Sequence, residues 1–395
     1  MILLMTPSNE TDPRLLALDV AGSLFIELLP ARLRALKAND LRIVQGGRTK
    51  SGPGAAVSDD PDTDVLAVRD DVWFSDRALV AFLTNDAAGP RAVKVFSPRA
   101  ATAPEGADRE LLAVYIPRAI ASPLFREVGG AALVNTLEQL AARCNDAREL
   151  RGEELDSERP PMRVRSLLDV SVVESHILYA RAVEALARGV RIRDPRAIAI
   201  RGELQCGEDV EIDLHVIIEG KVTLGNGVRI GANCTLKSAS VGEQTRINPY
   251  SMLENAEIGA SGMVGPYARV RPGSVLGDHV QIGNFVEVKN SQIGSGSRIN
   301  HLAFIGDAAL GKNVTIGAGT ITCNHDRRGV ARTEIGEGAY VGSGCLLVAP
   351  LSIGANATIG AGSTITKTAP EGKLTIARSR QVTIDDWTPP DSGEK

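Results

Sequence analysis

Aromatic residues are scarce in this chain of 395 residues, at 4% of the sequence, and cysteine and histidine number only five each. The cysteines form no CxxC pair and show no metal-type spacing with the histidines, so no metal site is expected. Buried free thiols are the favoured interpretation for all five: Cys144, Cys206, Cys234, Cys323 and Cys345.

The sequence also lacks a strong charge imbalance and a long apolar run. A formal net charge of -4 leaves no basic face of the kind that binds nucleic acid. No stretch approaches the roughly 18 uninterrupted apolar residues needed to cross a membrane. The N-terminal apolar run has no basic region before it and is interrupted by Asp19 and Glu27. We therefore expect a cytoplasmic protein with no nucleic-acid or membrane partner.

Glycine is abundant, at 40 residues, and it accompanies a six-residue repeat in the second half of the chain. The length suffices for two domains, because single hydrophobic cores stop growing at roughly 250 to 300 residues. The repeating aliphatic positions form three runs: Val210, Val216, Val222, Val228 and Cys234; then Ile258, Val264, Val270, Leu276, Ile282 and Val288, with Ile293, Ile299 and Ile305 after a one-residue slip; then Ile335, Val341, Leu347, Ile353, Ile359 and Ile365.

A period of six fits neither the 3.6 nor the 3.5 residues of a helical repeat, and recurrent glycine would destabilise a helix by about 1 kcal/mol each. The pattern predicts short strands whose aliphatic residues point inward, three strands closing one triangular coil. The segment Cys323 to Glu334 interrupts the period with a polar, arginine-rich insertion. Insertions in solenoids form loops on one face, often the binding face, although a solvated loop without a role is the alternative.

The first half reads as a small α/β domain. Predicted strands lie at Leu41 to Val44, Val65 to Val68, Ala92 to Phe96 and Leu111 to Ile116. One apolar helical face runs from Val134 to Cys144, and a second helix spans Glu174 to Arg188 and ends at Gly189.

Five motifs of the repeat region resemble a known family. They are PYARVRPG (266–273), IGNFVEVKN (282–290), INHLAFIGDA (299–308), IGAGTITCN (316–324) and VGSGCLLVAP (341–350). They resemble the acetyltransferase half of the bifunctional N-acetylglucosamine-1-phosphate uridyltransferase/glucosamine-1-phosphate acetyltransferase family, which makes UDP-N-acetylglucosamine. The resemblance implies a left-handed parallel β-helix, acetyl-CoA as acetyl donor and a homotrimer. Domains are expected at 1–165 (a shortened, degenerate nucleotidyltransferase-like α/β domain), 166–196 (a connecting helix), 197–378 (the β-helix) and 379–395 (a tail).

Acetyl transfer to an amine requires a base and cationic groups for an anionic substrate. His301 is the candidate base, with Glu287 as the carboxylate that could orient its ring. Arg271 and Lys289 are eighteen residues apart, which is one coil, so they should stack on one face and could clamp a phosphate.

The resemblance assigns further residues. It places Asn324 at the amine or thioester, Ser343 and Ala361 beside acetyl-CoA, and Arg378 at the CoA phosphates. It also marks four departures at binding positions: Phe304 stands where the family has a phosphate-contacting Tyr, Thr315 where it has a sugar-contacting Asn, His325 where it has a Tyr, and Val330 where it has a Lys. Acetyl transfer is thereby more firmly indicated than the identity of the sugar phosphate.

The first domain resembles the uridyltransferase half only in outline. Asp71 occupies the place of a metal ligand, but Ser171 replaces the second ligand and the glycine-rich phosphate loop is absent. Mg2+ would therefore be needed only if this domain were active. Two alternatives to acetyl transfer alone stay open: a bifunctional enzyme with residual uridyltransferase activity, and a homologue that binds CoA or a sugar nucleotide without turnover.

Overall fold

A computed structural model describes residues 161–387 continuously. Of the first 160 residues it describes 2–6, 19–20, 23–24, 29, 42–45, 65–69, 72–84, 94–97, 112–116, 137, 141 and 148–151. The chain forms two compact units, Met1–Ile177 and Leu178–Lys395. Asp71 and Cys144, and nearly all of the helical face predicted from Val134, lie outside the described residues.

The first unit contains a six-stranded mixed sheet. Its strands run, in spatial order, Arg42–Gln45, Ile2–Thr6, Val65–Arg69, Ala113–Ile116, Lys94–Ser97 and Arg148–Arg151. Two small antiparallel pairs join Asp19–Val20 with Ser23–Leu24 and Val72–Trp73 with Met162–Arg163. Helix α1 (Asp76–Thr84) follows Ser75, whose hydroxyl accepts the Ala78 N–H at 3.0 Å as an N-cap. The four predicted strands are confirmed to within a few residues, and Ile2–Thr6 and Arg148–Arg151 are additional.

Helix α2 (Leu167–Ala187) confirms the predicted second helix, although it begins seven residues before Glu174. It starts where the connecting helix 166–196 was expected, but that segment already contains the solenoid strand Arg191–Ile192. Its start is fixed by a reciprocal cap: the Asp169 carboxylate accepts the Ser166 N–H at 2.8 Å, and the Ser166 hydroxyl accepts the Asp169 N–H at 3.3 Å. Leu167 and Leu168 in the first turn are exposed, which hid this start from an argument based on an apolar face. The helix ends at Gly189, whose φ of 92° suits glycine alone.

The second unit is a parallel β-solenoid with three faces, as predicted. The first face comprises Arg191–Ile192, Glu211–Ile212, Arg229–Ile230, Arg246–Ile247, Met263–Val264, Gln281–Asn284, Arg298–His301, Thr315–Ile316, Tyr340–Val341, Thr358–Ile359 and Leu374–Thr375. The second comprises Ala199–Ile200, Ile217–Glu219, Thr235–Lys237, Met252–Glu254, Arg269–Val270, Glu287–Lys289, Phe304–Gly306, Ile321–Cys323, Leu346–Val348 and Thr364–Ile365. The third comprises Glu203–Cys206, Lys221–Leu224, Ser240–Val241, Ala256–Ile258, Ser274–Leu276, Gln292–Ile293, Ala308–Leu310, Thr333–Ile335 and Leu351–Ile353.

The aliphatic residues of the repeat fill the interior of this solenoid. All the predicted inward positions are buried, with Val228, Val288 and Leu347 at 0% exposure. Cys234 and Cys345 belong to the same core, and burial raises the pKa of the Cys234 thiol to about 11. The four cysteines that the structure describes are free, as predicted, but only Cys234 and Cys345 are buried; Cys206 and Cys323 are partly exposed, which corrects the expected burial. The left hand of the coil stays a prediction of the resemblance.

A residue in the left-handed backbone region turns the chain at nearly every corner. We call the corner between first and second faces the first corner (turning at His215, Asn233, Tyr250, Tyr267, Phe285, Leu302, Gly319, Gly344 and Gly362). The second corner joins the second and third faces (Gly220, Ser238, Asn255, Gly273, Asn290 and Asp307). The third corner closes the coil (Asp209, Gly227, Gln244, Ser261, His279, Gly296, Asn313, Gly338, Asn356 and Gly372).

The insertion interrupts the stack where the sequence predicts it. The second-face strand ends at Cys323 and the third-face strand begins at Thr333. Between them, His325–Asp326 and Gly329–Val330 pair as an exposed antiparallel hairpin. Among the described residues, no helix combines the length and apolarity that crossing a bilayer requires.

The solenoid core should respond sharply to truncation. We expect Leu347→Ala, at a fully buried site, to lower the free energy of unfolding by about 2 to 5 kcal/mol, because the cavity cannot fully collapse. Leu346 lies next to it on the same strand and is 39% exposed, so Leu346→Ala is the matched control and should cost far less. Denaturant unfolding followed by circular dichroism measures both, and equal losses would contradict the inward assignment.

Candidate active site

His301 ends a first-face strand at the first corner, with its ring exposed. The register pairs it with Asn284, which ends the strand one coil below. His301 Nδ1 lies 2.7 Å from Asn284 Oδ1. With Nδ1 as the donor to this amide oxygen, the lone pair of Nε2 is free to act as a base.

Among the described residues, the side chain that contacts the His301 ring is Asn284, and the orienting role of Glu287 stays a prediction. Glu287 lies on the second face, where it pairs with Phe304 rather than with His301. Its carboxylate accepts a hydrogen bond from Arg271 Nη1 at 2.7 Å. In the chain described here, Glu287 therefore holds Arg271, and Asn284 holds the imidazole.

Arg271 and Lys289 stack one coil apart, as the eighteen-residue spacing predicts. The strands below and above are in register at Val270 and Val288, and the Arg271 N–H donates to the Val288 carbonyl at 2.8 Å. Both cations are about one-third exposed, and both have a carboxylate partner. Lys289 Nζ lies 3.8 Å from Asp307 Oδ2.

Asp307 is the residue of this cluster that the sequence argument did not single out. It is 8% exposed and lies at the second corner with a φ of 51°. Asn290 Nδ2 donates to its Oδ1 at 2.6 Å, and Asn324 Nδ2 donates to its Oδ2. The motif INHLAFIGDA already contained this aspartate, in a position where a left-handed turn favours Gly, Asn or Asp.

Phe304 and Asn324 meet above a glycine. A Cβ on Gly306 would lie 2.6 Å from Phe304 Cζ and 2.9 Å from Asn324 Nδ2, so a larger residue there would displace the ring and the amide. The ring of Phe304 thus occupies the space beside the lysine and asparagine side chains without contributing a hydrogen-bond donor.

Small residues form a track above His301 at the first corner. Consecutive backbone hydrogen bonds link the coils: Gly319 N–H to His301, Gly344 N–H to Ala318, and Gly362 N–H to Ser343. Ser343 and Ala361 thereby lie in the column of His301, each followed by a glycine. Arg378 lies at the top, and its Nη1 donates to the Ala361 carbonyl at 2.9 Å. At about 4.8 Å per coil, the track rises roughly 19 Å.

Two predicted site residues lie elsewhere in the single chain. Thr315 belongs to the first face, between Arg298 below and Tyr340 above, whereas Lys289 and Asn324 lie at the second corner. His325 is exposed in the hairpin, paired with Val330. Within the described residues, no three His, Cys, Asp or Glu side chains cluster as they would around a metal ion.

Two family models match the solenoid. The model described as the GMPPB C-terminal domain matches residues 200–293. The model described as bacterial transferase hexapeptide (six repeats) matches residues 332–367. Residues 294–331, which include His301 and most of the insertion, lie between the two matched segments.

Solved structures align only loosely with this chain. GDP-perosamine N-acetyl transferase from Caulobacter crescentus, solved as the H141A mutant in complex with CoA and GDP-perosamine, is 28% identical with a TM-score of 0.27, covering 29% of this chain and 53% of that chain.

Curated relatives are much closer in sequence. The chain is 54% identical over 211 residues to Bifunctional protein GlmU of Herminiimonas arsenicoxydans, covering 53% of this chain and 46% of the relative. It is 50% identical over 232 residues to the protein of that name from Methylobacillus flagellatus, covering 59% and 51%. The chain spans about half the length of the relatives that it matches. Over that half it is similar to proteins named Bifunctional protein GlmU, which confirms the resemblance predicted from its motifs.

Proposed function

We propose that this chain transfers the acetyl group of acetyl-CoA to the amino group of a hexosamine 1-phosphate, with glucosamine 1-phosphate as the expected acceptor. The product would be N-acetylglucosamine 1-phosphate, a step toward UDP-N-acetylglucosamine. The observation that carries the proposal is that His301, held by Asn284, lies at the foot of the track that leads to Arg378, while Arg271 and Lys289 stack on the adjoining second face.

The reaction needs one proton acceptor at the amine. Nucleophilic attack by nitrogen on the thioester carbonyl forms the C–N bond, and His301 Nε2 would take the proton that the nitrogen loses. The C–S bond then breaks, and His301 returns the proton to the departing thiolate, so that CoA leaves as the thiol. Asn284 supports this role because it holds the other ring nitrogen at 2.7 Å.

The track supports an elongated acetyl donor. Ala318, Ser343, Ala361 and the glycines that follow them present little side-chain bulk, so a narrow chain could lie against the corner. Arg378 at the top would meet the phosphates of CoA, because guanidinium binds phosphate in a bidentate manner.

We also propose a homotrimer whose active sites are shared between chains. Thr315 lies on a different face from Lys289 and Asn324, so a neighbouring chain would be required to bring it to them. A column of exposed apolar residues at the first corner supports such a contact: Tyr250, Tyr267, Phe285 and Leu302, which are 51%, 48%, 55% and 63% exposed. The ring centroids of Tyr250 and Tyr267 lie 5.0 Å apart, and those of Tyr267 and Phe285 lie 5.2 Å apart. This apolar column repeats once per coil, so it could pack against the same repeat of another parallel solenoid.

Replacing the proposed base should abolish turnover. We expect His301→Asn to lower kcat by about 10²- to 10⁴-fold, because no other group would accept the amine proton. The assay is thiol release from acetyl-CoA with glucosamine 1-phosphate. His279→Asn is the control, since His279 turns the third corner in a left-handed conformation that asparagine adopts readily. Near-normal turnover by His301→Asn would remove the proposed base. Conversion of other amino-sugar phosphates but not glucosamine 1-phosphate would reject the acceptor.

Removing the amide below the base should change its tautomer. We expect the Nδ1–H form of His301 to predominate in the native protein and to lose that preference in Asn284→Ala, with a parallel fall in kcat. ¹⁵N chemical shifts of the imidazole report the tautomer directly. Asn248→Ala, on the same face two coils lower, should leave the spectrum of His301 unchanged. An unchanged tautomer in Asn284→Ala would show that the contact does not position the ring.

A charge placed in the column of exposed apolar residues at the first corner should separate the chains of the proposed trimer. We expect Phe285→Glu to shift the sedimentation of the protein from trimer to monomer and to abolish activity, because a carboxylate would be desolvated in the contact. Val275→Glu is the matched control, since Val275 is 42% exposed on the third face. Trimers of unchanged stability in Phe285→Glu would exclude this corner from the interface.

A further inference from the structure

The two cations of the proposed phosphate clamp are already neutralised within the chain. Arg271 is bonded to Glu287 at 2.7 Å, and Lys289 lies 3.8 Å from Asp307. A phosphate monoester carries a charge of about -1.5 to -2 at neutral pH. Arg271 and Lys289 together with their partners therefore present no net positive charge to the phosphate of the proposed substrate.

Arg332 lies one coil above Asp307. The register pairs Ala308 with Thr333, and the Thr333 N–H donates to the Asp307 carbonyl at 3.2 Å. The backbone of Arg332 therefore follows Asp307 up the second corner, at about the 4.8 Å spacing of paired strands. The base of the hairpin is closed by the Ala331 N–H, which donates to the Asn324 carbonyl at 2.8 Å, so Asn324 and Arg332 lie on either side of this closure.

The guanidinium of Arg332 is exposed and has no ion pair or hydrogen bond with any described residue. One coil below, the Asp307 carboxylate is occupied: Asn290 and Asn324 donate to its two oxygens, and Lys289 lies 3.8 Å from it. Glu334, exposed two residues along the chain, forms no ion pair with Arg332. Arg332 is thus a cation one coil above Asp307, the residue that Lys289 and Asn324 contact, and it forms no ion pair with a carboxylate of the described residues.

We propose that Arg332 binds the phosphate of the acceptor and supplies the net positive charge that Arg271 and Lys289 lack. This inference rests on the proposed function, since it concerns the same site. A planar guanidinium donates two parallel hydrogen bonds to phosphate oxygens, which neither the aliphatic Val330 nor the ring of Phe304 can do. Arg332 is a substrate-binding residue in this account and takes no part in proton transfer.

The other arginines of the insertion are suitable comparators. Arg327 and Arg328 lie in the turn of the hairpin, where Asp326 Oδ1 accepts the N–H groups of Arg328 and Gly329 at 2.7 and 2.9 Å. They are exposed and share the charge and flexibility of Arg332, but they are at the tip, away from Asp307.

The test compares Arg332→Gln, Arg332→Lys and Arg327→Gln in the full-length protein. We expect Arg332→Gln to raise KM for glucosamine 1-phosphate about tenfold, with KM for acetyl-CoA unchanged. Arg332→Lys should recover part of the loss. Arg327→Gln should resemble the native protein. The low rate on glucosamine, which lacks the phosphate, should be the same in all variants.

Calorimetric binding of glucosamine 1-phosphate separates failure of this inference from failure of the proposed function. Without turnover in the native protein, the function is wrong, but weaker binding to Arg332→Gln than to the native protein still supports the phosphate contact. Equal binding, or no binding to either, overturns it. A rise in KM for acetyl-CoA instead would assign Arg332 to the phosphates of CoA and overturn the inference, as would a full effect from Arg327→Gln alone.

Discussion

Parallel pairing of each coil with the next is the interaction on which the rest of the second unit depends. Inward aliphatic residues and continuous backbone hydrogen bonds hold successive coils in one register, so that outward side chains 17 or 18 residues apart form columns. Asn284 beneath His301 and Arg271 beneath Lys289 are products of that register. The site needs no special backbone; it uses positions that the fold repeats.

Features of the second unit that follow from the six-residue period could be predicted from the sequence. The buried columns, the position of the insertion and the stacking of Arg271 with Lys289 are confirmed, because a six-residue step, even with a one-residue slip, fixes which residues of neighbouring coils pair. Periodicity does not decide which of two neighbouring side chains contacts a given partner. Glu287 is two residues from Phe285 and close in sequence to His301's column, but it lies past the corner, where Arg271 takes its carboxylate. Asp307 was not predicted, because aspartate is common at turns and the sequence alone does not reveal its hydrogen bonds with Asn290 and Asn324.

The first corner departs from the rules that the other corners obey. At the second and third corners the left-handed positions carry only glycine or polar residues, whereas four successive coils of the first corner carry Tyr250, Tyr267, Phe285 and Leu302. A left-handed conformation destabilises such residues by about 1 kcal/mol each, and ring stacking offsets part of that cost. The apolar residues end at Leu302, in the coil of His301, and glycine takes the turning position in the coils above it. From one coil to the next, the first corner therefore changes from apolar side chains to glycine backbone.

The column from His301 to Arg378 has a consequence for how such a protein can change. The length of this column is always a whole number of coils. Side-chain substitutions can adjust what lies at either end, but the separation between base and guanidinium can alter only in increments of about 4.8 Å. The distance between the two ends of the site can therefore differ between such proteins only by whole coils, and a ligand of intermediate length must bend to reach both ends.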